Sequence, residues 1–176
     1  MFIIFGGLPG VGKSTIARLL ARKLKAVYLR IDSIEQAIKD ASKTNNANKR
    51  IIISEGYMTA YAVAKDNLEI GLTVIADSVN PLEITRNDYK KVATDLNIAY
   101  FEIEVICSDM LAHKKRVQTR TSSIKGLRLP TWQDVVNREY QIWRTKSMTI
   151  DTASISEIEA VDSIVQKLIT LDKCSR

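Results

Sequence analysis

One nine-residue segment near the start of the chain constrains the fold more than any other feature. It reads Gly7-Leu8-Pro9-Gly10-Val11-Gly12-Lys13-Ser14-Thr15 and matches a phosphate-binding loop at every fixed position. Glycines in such a loop let backbone N–H groups turn inward around phosphate oxygens, at the positive end of the following helix. We therefore expect these nine residues to bind a nucleoside triphosphate, with Lys13 on its β- and γ-phosphates.

Short apolar runs alternate with amphipathic segments along the chain. One run covers residues 1–5, and others cover 26–29, 72–76, 100–107 and 148–150. Between them apolar residues recur at helical spacing, as Ile16, Leu20 and Leu24 do after the loop. This alternation predicts a single α/β domain over residues 1–176, with a parallel five-stranded sheet and helices on both faces. Together with the loop, it indicates the P-loop nucleoside-triphosphate hydrolase fold.

Polar residues at helix-capping positions predict where several helices begin. Three pairs have the spacing of a capping box, namely Asp32 with Glu35, Thr131 with Asp134, and Ser156 with Glu159. Asn80, before Pro81, and Ser108, after the fourth apolar run, are predicted N-caps. The helix that Thr131 opens is predicted to carry Trp132, Val136, Tyr140 and Trp143 along one side.

Two acidic residues follow apolar runs at the sheet edge that carries the loop. Asp77 ends the third run, where phosphate-loop proteins place an acid beside the metal, so Ser14 and Asp77 are predicted to hold Mg²⁺. Asp32 follows the second run, at the edge where open α/β sheets bind ligands. Its carboxylate is a candidate base for an attacking hydroxyl, with a simple helix cap as the alternative. Ser78 replaces the glutamate of many ATP-hydrolysing motors, which disfavours a motor.

Three arginines are candidates for binding the substrates. Arg116 and Arg120 share a helix face and precede a loop that contains Gly126. Residues 116–130 therefore predict a lid whose arginines bind ATP and stabilise the transferring phosphate, with a solvated basic helix end as the alternative. Arg86 lies beside the apolar face of its helix near Asp77 and is predicted to bind a substrate anion, with a surface or structural ion pair as the alternative.

Charge and composition narrow the partners. The formal net charge of +6 favours anionic partners such as nucleotides and phosphorylated metabolites, with nucleic acid possible but not favoured. A composition of 45% hydrophobic and 26% charged residues argues against a disordered, collagen-like or coiled-coil chain. No apolar run is long enough to span a bilayer, so we expect a cytoplasmic protein without a membrane segment.

These motifs resemble those of the small phosphate-loop kinases that include zeta toxins, chloramphenicol phosphotransferases and polynucleotide 5′-kinases, a group of AAA-type ATP-binding kinases. The resemblance rests on the Gly7–Thr15 loop, Ile31-Asp32-Ser33, the segment Ile75-Ala76-Asp77-Ser78-Val79-Asn80-Pro81 with Arg86, and Arg116-x-x-x-Arg120. It implies that Asp32 deprotonates the acceptor hydroxyl, that the lid arginines contact ATP, and that residues 151–153 lie near the adenine.

Three functions fit these patterns. The first is an ATP- and Mg²⁺-dependent phosphotransferase that moves the γ-phosphoryl group to a hydroxyl or phosphate of a small molecule, using Lys13, Asp32, Arg116 and Arg120. The second is a nucleotide-dependent binding or regulatory protein that hydrolyses ATP slowly. The third is a nucleic-acid 5′-end kinase, which only the positive charge favours.

Overall fold

The computed structural model describes residues 1–44 and 53–174. In chain order the elements are β1 (Phe2–Gly6), α1 (Lys13–Leu24), β2 (Val27–Arg30), α2 (Ile31–Thr44), α3 (Ile53–Glu69), β3 (Val74–Asp77), α4 (Glu83–Asp95), β4 (Tyr100–Ile106), α5 (Met110–Thr119), α6 (Trp132–Val136), β5 (Met148–Asp151) and α7 (Glu157–Cys174). Within the described ranges, no helix is long and apolar enough to cross a membrane.

The five strands form one parallel sheet in the order β2-β3-β1-β4-β5. The central strand β1 pairs with β3 on one side and β4 on the other, and Phe5 lies opposite both Asp77 and Ile103. Arg30 lies opposite Asp77 on the next strand pair. Because parallel strands end at the same edge, the loop after β1, the start of α2 and Asp77 meet there. The predicted P-loop fold with a parallel five-stranded sheet is confirmed.

Alternating side chains of β1 point into two hydrophobic cores, one on each face of the sheet. Ile3 and Phe5 pack with α1 and α7, whereas Phe2 and Ile4 pack with α3 and α4. All four side chains are fully buried. A strand buried on both faces must be apolar throughout, which is why this run carries no polar side chain. Helices therefore cover both faces, as predicted.

Two of the three predicted capping boxes are present. The Thr131 hydroxyl accepts from the Asp134 backbone N–H at 3.2 Å, and the Asp134 carboxylate accepts from the Thr131 backbone N–H at 2.8 Å. Ser156 and Glu159 make the same reciprocal pair at the start of α7. Each box satisfies backbone donors that the first helical turn leaves unpaired.

The other capping predictions are wrong. Helix α2 begins at Ile31, directly after β2 ends, so Asp32 lies inside the first turn rather than at the cap. The cap of α5 is Asp109 instead of Ser108, and its carboxylate accepts from two backbone N–H groups of the first turn. Helix α4 begins at Glu83 without a side-chain cap. These helix starts differ from the predicted ones by one or two residues.

Asn80 has a different role from the predicted cap. Its φ is +48°, a left-handed conformation that Asn tolerates better than most residues. Its side-chain amide donates to the Phe5 carbonyl at 2.9 Å, in a fully buried position. Asn80 thus fastens the loop after β3 to the end of β1, where the phosphate loop begins.

The predicted helical stripe through Trp143 is also wrong, because α6 ends at Val136. Trp143 instead lies in the segment that leads to β5 and is almost fully buried. Its ring covers Gly6, where a Cβ atom would lie only 2.1 Å from a ring carbon. The ring therefore packs directly on the main chain at the root of the phosphate loop.

Replacing Gly6 with alanine should force this ring away and destabilise the fold by about 1–3 kcal/mol, as overpacking of a core does. The matched background is Trp143→Leu, which keeps an apolar side chain but removes the ring atoms nearest to Gly6. In the Trp143→Leu background, the loss of unfolding free energy caused by Gly6→Ala should fall to less than half. Urea denaturation of the unmodified protein, the two single variants and the double variant measures the Gly6→Ala penalty in each background. Equal penalties in the two backgrounds would contradict the packing of Trp143 on Gly6.

Candidate active site

The Gly7–Thr15 loop has the backbone geometry that phosphate binding requires. Gly7 and Gly12 have φ of +141° and +96°, in a region that side chains with a Cβ rarely adopt. A Cβ on Gly7 would also lie 2.2 Å from the Val105 carbonyl oxygen. Gly12 is the N-cap of α1 and offers no side-chain acceptor, so the first N–H groups of the helix stay available to an anion.

Lys13 is the first residue of α1, and only 8% of it is exposed. Burial lowers the pKa of its ammonium group, whereas the carboxylates of Asp77 and Asp32 oppose that shift by attraction. A cation is therefore held inside the sheet edge, at the start of the helix whose N–H groups face the same space. This is the position that the sequence predicts for the β- and γ-phosphates.

Asp77 and Ser14 supply oxygen atoms that fit a magnesium ion. Asp77 is buried at the end of β3, and its Oδ2 accepts a hydrogen bond from the Tyr28 hydroxyl at 2.6 Å. Its Oδ1 has no hydrogen-bond partner within residues 1–44 and 53–174. Mg²⁺ binds through one or two protein oxygens and keeps its other positions for water and phosphate. These two residues would hold the ion, and their assignment to Mg²⁺ stays a prediction.

Two arginines face Asp32 across the mouth of the loop. Arg30 places Nη2 3.7 Å from Asp32 Oδ2 and donates through Nη1 to the Ser123 hydroxyl at 3.2 Å. Arg120 ends α5, and its buried Nε and Nη2 atoms have no acceptor in the described part of the chain. Burial lowers the pKa of Arg120, and Asp32 opposes this. A half-buried guanidinium without acceptors beside Lys13 is suited to bind a phosphate.

Arg116 lies on the opposite side of the cleft, against the loop after β5. Its Nη1 and Nη2 donate to the hydroxyl and carbonyl oxygens of Thr152, at 2.7 and 3.0 Å. The Thr152 hydroxyl in turn donates to the Val11 carbonyl at 2.8 Å. Arg116 therefore connects the lid helix, the loop after the last strand and the phosphate loop. It does not share the position of Arg120.

Arg86 does not reach the cleft. It is almost fully buried in α4, where its Nη1 donates to the Gln141 carbonyl at 2.9 Å and its guanidinium lies 4.9 Å from the Trp143 ring centroid. The sequence placed Arg86 near Asp77 along the chain but could not show which side of α4 it occupies. Its hydrogen bonds hold the segment before β5, so Arg86 has no place in the site that we propose.

Sequence reasoning missed Tyr28 and Arg30. They are two residues apart in β2 and so point to the same face, toward Asp77 and Asp32. A polar pair at this spacing, at the end of an apolar run, was the available signal. Pairing of β2 with β3 brings them to the site, and that pairing cannot be derived from local sequence.

A cleft of about 1550 Å³ is lined by Lys13, Arg30, Asp32, Arg116 and Arg120. It extends from Thr152 and the phosphate loop, on the β5 side, to Tyr57 and Asp88 on the β2 side. Pockets for one small molecule commonly measure about 300–1,000 Å³. The cleft therefore has room for a nucleotide and a second ligand, with Lys13, Asp32 and Arg120 between them.

The segment between α5 and α6 covers α2. Ser123 accepts the hydrogen bond from Arg30, and a Cβ on Gly126 would lie 3.3 Å from the Gln36 side chain. Leu127 and Arg128 line the cleft from this segment. The predicted lid position is thus a segment packed over the helix that carries Asp32.

Comparison with known sequences assigns the family. The sequence pattern of the AAA domain family matches residues 2–134, from β1 to the start of α6. The chain belongs to the AAA domain family. This agrees with the phosphate-loop resemblance seen in the sequence, while the zeta toxin, chloramphenicol phosphotransferase or polynucleotide kinase type stays a prediction. No curated protein sequence matches this AAA domain protein.

Solved structures share its fold. The APS kinase of Mycobacterium tuberculosis, in complex with AMPPNP and APS, is 19% identical with a TM-score of 0.69, over 95% of this chain and 96% of that one. Kti12 of Chaetomium thermophilum, in complex with ADP-AlF3, has 19% identity and a TM-score of 0.69, over 95% and 98%. A gluconokinase from Sinorhizobium meliloti has 15% identity and a TM-score of 0.63, over 96% and 91%. At such identities the likeness establishes the fold alone.

The lid segment should respond to the γ-phosphate, because Arg120 lacks an acceptor until an anion arrives. Mg²⁺ with a non-hydrolysable ATP analogue should slow amide hydrogen exchange over residues 116–130 more than Mg-ADP does. Peptide-level exchange with mass spectrometry measures the difference, and an Arg120→Gln variant should lose it while Lys115→Gln, on the same helix, should keep it. Protection confined to residues 7–15 would contradict the lid.

Proposed function

We propose that this AAA domain protein is an ATP-dependent phosphotransferase. It moves the γ-phosphoryl group of ATP to a hydroxyl or phosphate of a small molecule, with Mg²⁺ bound by Ser14 and Asp77. The observation that carries this proposal is the placement of Asp32 and Arg120 beside Lys13 in the middle of a cleft that has room for two ligands. A protein that only binds nucleotide has no need for a carboxylate and a second compartment there.

Each residue of the site has a place in the transfer. Lys13 and the loop N–H groups hold the β- and γ-phosphates, and Arg120 stabilises the negative charge that spreads over the transferring group. Asp32 accepts the proton of the acceptor hydroxyl as its oxygen bonds to the γ-phosphorus. The bond from that phosphorus to the bridging oxygen breaks, and ADP leaves. When bound, Mg²⁺ would neutralise charge on the β- and γ-phosphate oxygens.

Arg30 and Arg116 act around this centre. Arg30 pairs with Asp32 at 3.7 Å and holds its carboxylate at the cleft. Arg116 holds the Thr152 loop against the phosphate loop, on the side assigned to the adenine. An APS kinase bound to AMPPNP and Kti12 bound to ADP-AlF3 share this fold, which supports ATP as the donor. Dependence on ATP also favours the cytoplasm as the compartment.

Two substitutions should separate nucleotide binding from chemistry. Lys13→Ala should abolish measurable Mg-ATP binding by calorimetry while the circular dichroism spectrum is unchanged, because the ammonium faces ligand. Asp32→Asn should bind Mg-ATP like the unmodified protein but lose 10²–10⁴-fold in acceptor-stimulated ADP release, the usual contribution of a general base. Asp95→Asn, an exposed carboxylate at the end of α4, is the control that should change neither.

The same measurements distinguish the other candidate functions. Slow ATP turnover that no hydroxyl-bearing compound accelerates would favour the binding or regulatory protein. Labelling of an oligonucleotide 5′ end in preference to small molecules would favour the nucleic-acid kinase. Full turnover by Asp32→Asn with an accepted substrate would remove Asp32 from the chemistry.

A further inference from the structure

Aromatic rings form the wall of the cleft beyond Asp32. Tyr57 and Tyr61 line it from α3, and both pack on the fully buried ring of Tyr89, Tyr61 edge-on at 4.6 Å between centroids. The Tyr61 hydroxyl is turned away to the Thr85 carbonyl at 3.3 Å, and the Tyr57 hydroxyl accepts from the Asn80 backbone N–H at 3.4 Å. With their hydroxyls engaged, the two rings offer this part of the cleft mainly carbon surface.

Two exposed apolar side chains continue this wall toward solvent. Met58 on α3 and Ile84 on α4 are each 65% exposed and both line the cleft. Pockets for small molecules are lined chiefly by apolar and aromatic groups with a few polar ones. Met58 and Ile84 line the same cleft as Tyr57 and Tyr61. A ligand with an apolar body would cover these four side chains.

The charge of the cleft differs between its two sides. On the nucleotide side the lining cations outnumber the carboxylates, with Lys13, Arg18, Arg116 and Arg120 against Glu157. We define the acceptor side as the cleft-lining residues of α2, α3, α4 and the segment 127–138, together with Arg30. On this side the cations and the carboxylates are equal in number. Its cations are Arg30, Lys39, Arg128 and Arg138, and its carboxylates are Asp32, Glu35, Asp88 and Asp134.

The cations of the acceptor side already face carboxylates. Arg30 pairs with Asp32. Lys39 and Arg138 are close enough to Glu35 to attract its charge, and Arg128 and Arg138 do the same for Asp134. Asp88 lies near Tyr61 and has no ion-pair partner in the described part of the chain. A phosphate or carboxylate that enters here would lose water and meet cations whose charge nearby carboxylates already offset.

We propose that the phosphoryl acceptor is an alcohol without negative charge, carried on a ring or another apolar body. The inference rests on the proposed phosphotransferase function and narrows it from a hydroxyl or phosphate to a hydroxyl. The apolar surface of Tyr57, Tyr61, Met58 and Ile84 binds the body of the acceptor, and its hydroxyl reaches Asp32. Asp88 at the far end tolerates a positively charged substituent such as an amine.

Matched pairs of acceptors test the charge requirement. Each pair shares a ring and hydroxyl groups and differs by one anion, such as a nucleoside with its 5′-monophosphate, or an aryl alcohol with its carboxylate derivative. Acceptor-stimulated ADP release should give a kcat/KM at least about tenfold higher for the uncharged member, since the anion would give up water to meet cations that carboxylates already offset. A preference for the anionic member would overturn the inference, as would the failure of every uncharged ring alcohol.

Substitutions test the apolar surface. Met58→Ser and Ile84→Ser should each raise the acceptor KM severalfold and leave the ATP KM unchanged. The control is Ile158→Ser on α7, which is 69% exposed but does not line the cleft. Equal changes in the acceptor KM in all three variants would contradict binding of the acceptor at this apolar surface. Transfer to the anionic acceptors, measured in parallel, separates the two failures. Transfer to anionic acceptors alone removes only the acceptor class, whereas transfer to no acceptor removes the phosphotransferase itself.

A second inference comes from the single histidine of the chain. His113 is buried in α5, and its Nε2 lies 2.9 Å from the Pro9 carbonyl oxygen in the phosphate loop. A carbonyl oxygen can only accept, so Nε2 carries the proton and donates. The other side of the ring packs edge-on against Trp132 of α6, at 5.1 Å between centroids.

This bond determines the direction of one peptide group. All peptide bonds in the described residues are trans, so the Gly10 N–H points opposite to the Pro9 C=O. With the carbonyl turned toward His113, the N–H is directed away from α5, toward the cleft that Gly10 lines. A Cβ on Gly10 would lie 2.4 Å from the Val117 side chain, so α5 packs closely on this peptide.

We infer that His113 is a positioning residue that keeps the Gly10 N–H directed at the phosphates and links the phosphate loop to both helices that flank the lid. His113→Phe retains a ring against Trp132 but removes the donor. His113→Gln places an N–H donor at about the position of Nε2 but removes the ring. The two variants therefore separate the hydrogen bond from the packing.

Calorimetry with Mg-ADP measures the effect on binding. His113→Phe should weaken binding by roughly tenfold, which is typical when a buried acceptor loses its donor, and His113→Gln should restore it to within about threefold. Urea denaturation of both variants gives the stability change separately. Unchanged Mg-ADP affinity in His113→Phe would overturn the positioning role. Losses of affinity that only parallel the losses of stability in both variants would overturn it as well.

Discussion

The buried ammonium group of Lys13 is the constraint on which the rest of the site depends. A cation with only 8% exposure is costly to remove from water unless opposite charges face it, and Asp77 and Asp32 provide them. Asp77 ends β3 and Asp32 lies in the first turn of α2, directly after β2, so both carboxylates reach the ammonium only when β2 and β3 pair in the observed register. The charge of one side chain thus links the phosphate loop to the order of the sheet.

Hydrogen bonds to the main chain hold the loop around this charge. The Gly7 N–H donates to the Val79 carbonyl at 3.0 Å. Asn80 donates to the Phe5 carbonyl just before the loop, and Thr152 donates to the Val11 carbonyl in its middle. His113 makes a fourth such hydrogen bond, to the Pro9 carbonyl. The loop is therefore held from the segments after β3 and β5 and from the lid helix. Such preorganisation favours binding of an anion because little order is lost when it arrives.

The two arginines predicted as equivalent lid residues have different surroundings. Arg116 is satisfied by Thr152, whereas Arg120 keeps buried donors without acceptors within the described ranges. Their four-residue spacing implied one shared face, and it is the end of α5 at Thr119 that separates them. Arg120 leaves the helix and turns toward Asp32. Of the two, only Arg120 has buried donors without acceptors to offer the transferring phosphate.

The sequence by itself determined the phosphate loop, the alternation of strands and helices, and the presence of acids at the ends of β2 and β3. These follow from short-range rules: glycine where the backbone must turn tightly, apolar runs where a strand is buried on both faces, and helical periodicity. Tertiary structure decided the rest. Strand pairing brought Tyr28 and Arg30 to Asp77 and Asp32, and helix packing turned Arg86 away from the cleft and His113 onto the loop. Contacts between residues distant in the chain depend on which faces of which elements meet, and a local pattern does not contain that information.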